Sequence, residues 1–345
     1  MNLSATDRSG FSREHGIYQP VQRDWMIPQF RFQDGQSLAD LRLHFATLGN
    51  PAGAPVLVLH GTLQSGAAML GPQFGGELFG PGQPLDARSH FIIVPDAIGT
   101  GLSSKPSDGL RTHFPHYNYS DMVRAQYLLV TEYLGLSRLR LVIGNSMGGM
   151  HTWMWAQQYP EMLNIAVPMA ALPTPMAGRN WMLRRMFCES ILQDPAWQGG
   201  NYTEQPPSLR LASTFFALAT NGGDLALQHQ APTRQQADAI IDARLAAPTT
   251  ADANDAIYQW QASSSYDASQ RLESIRAKVL AILSDDDERY PASLGLLEAA
   301  IARVAHGRAL RIPASAATAG HATTGQARWW KAALKQLLDE VPWAA

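Results

Sequence analysis

Leu141-Val142-Ile143-Gly144-Asn145-Ser146-Met147-Gly148-Gly149-Met150 joins an apolar run to a Gly-x-Ser-x-Gly pattern and then to a segment with helical spacing. A serine hydroxyl is a weak nucleophile unless a base can reach it. A sharp strand-to-helix turn lifts the hydroxyl into reach, and small residues on both sides let the backbone turn that tightly. Ser146 is therefore the candidate nucleophile. Because five-residue patterns of Gly and Ser recur by chance, the rest of the chain has to supply the context.

Outward from this stretch, apolar runs rich in Val, Ile and Leu recur at 56–59, 91–94, 139–143, 165–170, 279–283 and 309–312. Each is short and nearly free of charge, as expected of strands buried on both faces of a parallel sheet. Helical spacing fills several of the gaps, at 121–134 behind a cap at Ser120 and at 150–159, 293–304 and 329–338. Strand and helix alternate, so the class is α/β. The opening segment 25–48 reads as an antiparallel hairpin around Asp34-Gly35-Gln36-Ser37. Between 173 and 269 the alternation breaks, with helical stretches at 208–220 and 233–246. The chain thus divides into core 1–172, a mainly helical lid insertion 173–269 over the carboxyl edge of the sheet, and core 270–345.

Of 345 residues, 46% are hydrophobic and 16% charged, enough for a large core. A formal charge of -2 gives no electrostatic case for nucleic acid or an anionic membrane surface. The single cysteine, Cys188, excludes an intramolecular disulfide and reads as a buried small side chain in a reducing compartment. Residues 1–15 lack the apolar core of a signal peptide, and no run approaches the length of a membrane span, so a cytoplasmic protein is expected.

A serine nucleophile needs a base, and the base needs an orienting carboxylate on loops after late strands, in the order Ser, acid, His. The last histidine, His321, follows the final apolar run in a small-residue loop and is the candidate base. The run 279–283 leads into Ser284-Asp285-Asp286-Asp287-Glu288-Arg289-Tyr290-Pro291, where three successive aspartates compete for the acid position. Backbone donors for an oxyanion are expected at Met147, directly after the serine, and at Thr62 in His60-Gly61-Thr62-Leu63, with Leu63 the neighbouring alternative. His60 and Asp96 read as braces of their loops. His113 and His116 lack the carboxylate pair of a catalytic zinc site, and no phosphate loop appears, so neither a metal nor a cofactor is expected. Met150, Arg179 and Trp181 are candidate substrate-binding residues beside Leu63.

Several of these segments together resemble the α/β-hydrolase superfamily, and within it the homoserine O-acetyltransferase-like branch. The resemblance rests on His60-Gly61-Thr62, Phe79-Gly80-Pro81-Gly82-Gln83, Gly144 to Met150, Asp194-Pro195-Ala196-Trp197-Gln198-Gly199-Gly200-Asn201-Tyr202, and Gly320-His321. It implies a Ser-Asp-His triad, acyl transfer from acetyl-CoA through the serine to homoserine, and a helical lid that can mediate a homodimer. The family's acid lies four residues before a proline; that spacing selects Asp287, with Asp286 the runner-up. Two positions depart from the family. Ala322 follows the histidine where an aspartate is usual, and Met186-Phe187-Cys188-Glu189-Ser190-Ile191 lacks the family's arginine, although Arg179, Arg184 and Arg185 lie nearby.

Burying an amino-acid ammonium without a partner costs several kcal/mol, roughly, by the desolvation argument. The missing aspartate therefore orders the readings. First stands a serine-dependent carboxylic-ester hydrolase acting on a small acyl ester, second an acyl-CoA-dependent O-acyltransferase, and third a non-catalytic ligand-binding protein on the same fold.

Overall fold

The computed structural model describes residues 18–248 and 250–343; the leader-free reading of residues 1–15 falls outside them. Eight strands form one sheet: β1 Val21–Arg31, β2 Ser37–Gly49, β3 Ala54–Leu59, β4 His90–Pro95, β5 Leu139–Asn145, β6 Leu163–Met169, β7 Lys278–Ser284 and β8 Gly307–Ile312. Their order is β1-β2-β4-β3-β5-β6-β7-β8, and β2 alone runs against the rest. The expected opening hairpin is β1 and β2, with Phe30 opposite Leu38 and Ile27 opposite Leu41.

Alternate residues of the central strands serve opposite faces, as a period of two requires. Leu57, Leu59 and Val142 join one apolar cluster, while Val56, Val58 and Ile143 join another. The first is covered by helices α3 Tyr119–Leu128 and α4 Met147–Gln158, which bury Val123, Trp153 and Trp155. The short helices α1 Gly66–Leu70 and α2 Gly75–Leu78 lie towards the other face, which α11 Lys331–Glu340 closes with Leu334 and Leu337, next to the buried ring of Trp330. Each fully buried large apolar side chain contributes roughly 1.5–3 kcal/mol.

Four expectations about elements are corrected. The cap of α3 is Asn118, not Ser120: its side chain accepts from the Ser120 and Asp121 N–H groups, and Asp121 accepts from the Asn118 N–H at 3.1 Å, a reciprocal box that Ser120 cannot build. The helix also ends at Leu128 and widens into a π-type turn over Leu129–Tyr133. The stretch 293–304 yields only α10 Leu296–Ile301, because Gly295 at φ +62° interrupts it. Strand β8 is not buried on both faces; it is the sheet's last strand and exposes Arg308 and Ala309.

Between β6 and β7 the chain forms α5 Gly178–Leu192, α6 Pro207–Thr220, α7 Asp224–Gln230, α8 Arg234–Ala246 and α9 Ala253–Gln261. Phe187, Ile191, Phe216, Ile257 and Trp260 build an apolar cluster separate from those of the sheet. Cys188 is buried in it, and burial pushes its thiol up to about 12. Among the described residues, no helix is long and apolar enough to cross a membrane.

Candidate active site

The turn after β5 has the geometry its sequence predicts. Ser146 sits at φ +55°, ψ -112°, a conformation that L residues adopt only at a cost of order 1–3 kcal/mol. Its N–H donates to the Met169 carbonyl of β6 at 2.9 Å, and α4 begins at the next residue. Glycines are required on both sides of the turn. A Cβ on Gly144 would strike the backbone of Gly148, and one on Gly148 would strike the Leu59 carbonyl.

His321 lies in a tight turn, Gly320–Gly325, after β8. Its Nε2 is 2.9 Å from Ser146 Oγ, and its Nδ1 is 2.9 and 3.0 Å from the two oxygens of Asp287. All three residues are buried. Burial pulls the imidazole pKa below its ordinary value and the Arg289 charge lowers it further, while Asp287 opposes both. The imidazole is thus neutral near pH 7 and, with Nδ1–H donating to Asp287, leaves Nε2 free to accept a proton from the serine.

The three aspartates have separate partners. Asp285 lies 3.5 Å from Arg311. Asp286 accepts from the Ser284 hydroxyl and from Thr318 Oγ1 at 2.6 Å, tying the acid loop to the histidine loop. Asp287 alone reaches the imidazole. Glu288, which sequence reasoning passed over, accepts from the His321 N–H at 3.0 Å and from the Gly223 N–H at 2.7 Å, so one carboxylate joins the histidine loop to the helical insertion. Burial raises its pKa.

A cavity of about 240 Å³ opens above Ser146. Gly61, Thr62 and Leu63 line it on the side of β3, and Asn145 and His321 form its floor with the serine. Among the described residues, the backbone N–H groups of Thr62, Leu63 and Met147 make no hydrogen bond, which leaves them available to an oxyanion. His60 serves as a brace: its Nε2 accepts from the Ala97 N–H at 2.9 Å and its Nδ1 lies 2.8 Å from the Gly61 carbonyl. Asp96 accepts from the Gly66 and Leu102 N–H groups and holds the same loops.

Three expected substrate contacts lie elsewhere. Met150 is fully buried in the sheet's apolar core, where the fourth residue of α4 points inward. Arg179 is exposed beside Pro291 in a different cavity, and Trp181 lines a third cleft with His116 and Arg185. The other wall of the serine's cavity is instead Phe187, Ser213, Phe216 and Trp260, all from the insertion, together with Arg289 and Ala322. None of the lining residues is a carboxylate.

Arg289 was missed because it follows the acid by two residues in a run that reads as loop charge. Its guanidinium carbon stands 5.1 Å from the Phe216 ring centre and 5.9 Å from that of Trp260. Nη2 donates to Thr220 Oγ1 at 3.1 Å, and Nε is buried without a partner. Desolvation lowers its pKa to about 10, so it remains charged at neutral pH.

The family model described as the alpha/beta hydrolase fold matches residues 54–306. A homoserine O-acetyltransferase of Trichormus variabilis is 33% identical over 76% of this chain and 79% of its own length. One from Moorella thermoacetica is 39% identical over 49% of this chain, a match that spans about half the length of that relative. The solved structure of esterase E22 superposes with a TM-score of 0.80 over 93% of this chain and all of that one, at 19% identity, a likeness of fold.

Proposed function

We propose, for a chain that belongs to the alpha/beta hydrolase family and within it to the homoserine O-acetyltransferase-like branch, that it is a serine-dependent carboxylic-ester hydrolase working through an acyl-enzyme. The continuous line from Ser146 Oγ through His321 to Asp287 at the floor of a small cavity carries this reading. Ser146 attacks the acyl carbonyl as His321 Nε2 takes its proton. Asp287 orients the imidazole and stabilises the imidazolium. The N–H of Met147 and that of Thr62 or Leu63 receive the oxyanion. Collapse of the adduct expels the alcohol, which takes the proton from His321, and water discharges the acyl-serine by the same route. The insertion acts as a lid that limits the cavity to a small ester.

A second reading, acyl transfer from an acyl-CoA to an alcohol, is favoured by the names of the relatives. The same groups serve it, and the difference lies in recognition of the acceptor. Homoserine carries an ammonium, and Ala322 together with the carboxylate-free wall offers that charge no partner. Hydrolysis is therefore preferred. Incubation with acetyl-CoA or an aryl acetate, with and without homoserine, separates the two. Free acetate that is indifferent to homoserine and absent with Ser146→Ala supports the hydrolase. O-acetylhomoserine as the main product supports the transferase, and a Ser146 inert to both donors and to serine-directed reagents favours a binding protein.

The insertion also supports a homodimer. Helices α5 and α6 pack on each other yet leave Met182, Met186, Leu211 and Phe215 each more than 60% exposed, an apolar surface that a second copy would cover. A dimer by light scattering that dissociates in Phe215→Glu is expected; a monomer at all concentrations contradicts it.

A further inference from the structure

Two guanidinium groups that make no salt bridge among the described residues face the same Trp260 ring, Arg289 from the serine's cavity and Arg184 from the cleft that holds Trp181. Arg289 forms part of the cavity wall; Nη2 leans on the Thr220 hydroxyl, and Nε has no partner. Arg184, only 1% exposed, donates to Asn180 and Ser263 but leaves Nη2 unpartnered, 4.8 Å (from its guanidinium carbon) from the centre of the same Trp260 ring that Arg289 faces. The nearest carboxylates are committed elsewhere, Asp287 to His321 and Glu288 to two backbone N–H groups. Asp287 and Glu288 act on Arg289 only from a distance, without a direct salt bridge; a buried guanidinium so placed is costly, and an anion entering the cavity offsets that cost. With a fixed cation and no carboxylate in its lining, the cavity favours an anion and disfavours an ammonium.

From this juxtaposition we infer that the ester bears a carboxylate and no ammonium, and that Arg289 is the specificity-determining contact. The inference rests on the ester-hydrolase reading and narrows its substrate class. The carboxylate belongs either to the alcohol half, as in an acylated hydroxy acid, or to the acyl half, as in a dicarboxylic acid monoester. The cavity volume of about 240 Å³ restricts both to a few carbons.

The test compares kcat/KM for 3-acetoxypropionate and monoethyl succinate with their uncharged amides, 3-acetoxypropanamide and ethyl succinamate. The two pairs distinguish the two sources of the carboxylate. At least one carboxylate should exceed its amide about tenfold or more, with the ratio falling towards one in Arg289→Met and partly kept in Arg289→Lys. Equal values for both members of each pair, or a preference unchanged in Arg289→Met, overturn the inference while leaving the hydrolase reading intact. Calorimetric titration of Ser146→Ala protein with monoethyl succinate and with ethyl succinamate reads the same preference without turnover. Tighter binding of the anion, lost with the added Arg289→Met change, is expected even if the hydrolase reading fails; equal binding overturns the inference.

Discussion

At the carboxyl edge of the sheet, loops after β5, β7 and β8 bring Ser146, Asp287 and His321 into one hydrogen-bonded line, with the Ser146 N–H held by the Met169 carbonyl of β6 and the His321 N–H by the Glu288 carboxylate. Across the same cavity, the helical insertion supplies Phe187, Phe216, Trp260 and a serine hydroxyl, none of which titrates. The sheet edge holds groups able to move a proton, and the insertion holds ring faces that shape the space above them. Substitutions at the sheet edge should therefore lower turnover for every ester, whereas substitutions in the opposite wall should change which ester is preferred.

The largest expected effect is that of Ser146→Ala, a loss of roughly 10⁴-fold or more in kcat with any ester donor and no change in thermal unfolding. Retained turnover would show that the nucleophile lies elsewhere. Asp287→Asn should cost about 10³–10⁴-fold by leaving the imidazole in the wrong tautomer, while Asp286→Asn should fall far short of that, since its partners are Ser284 and Thr318. Equal losses in the two would reassign the acid.

Trp260→Ala removes a ring shared by the cavity wall and the insertion's core, and should cost about 3–5 kcal/mol of stability in denaturant unfolding. Its kinetic effect should appear as a shift in acyl-size preference, measured with acetate, butyrate and hexanoate esters of one alcohol. A uniform loss across that series would erase the distinction between the two walls.

The smallest expected effect is on pH dependence. As the proposed base, His321 must be neutral to accept the serine proton, so kcat/KM should fall as pH drops through its pKa, with a midpoint below the ordinary histidine value because burial and Arg289 depress it. Arg289→Met removes one depressing charge, and the acid limb should move to higher pH. A shift to lower pH would contradict the electrostatic assignment.

The same division explains what was legible in the sequence. Short apolar runs bounded by turn residues located the central strands, since a strand buried on both faces leaves a local record of Val, Ile and Leu. The elbow was legible because its strain admits few residue types, with Gly144 and Gly148 packed against backbone. Asp287 stood out from its neighbours only through its distance from Pro291. Met150, Arg179 and Trp181 lie outside the cavity over Ser146, for the wall opposite the serine is assembled by contacts between segments far apart in sequence. Arg289 meets Phe216 and Trp260 only in the folded chain, and nothing in Asp-Asp-Asp-Glu-Arg marks that arginine as facing a cavity rather than water. In the other direction, helical spacing at 293–304 overstated α10, since periodicity does not register the left-handed turn at Gly295.

Rapid-quench mass spectrometry of the peptide containing Ser146, after mixing the protein with an aryl acetate, reads directly whether this serine carries the acyl group. One acetyl group should appear on Ser146 and leave as free acetate in buffer, with no label in Ser146→Ala and slow discharge in Asp287→Asn. Ester turnover that persists with no acyl group on Ser146 would contradict an acyl-enzyme on this serine.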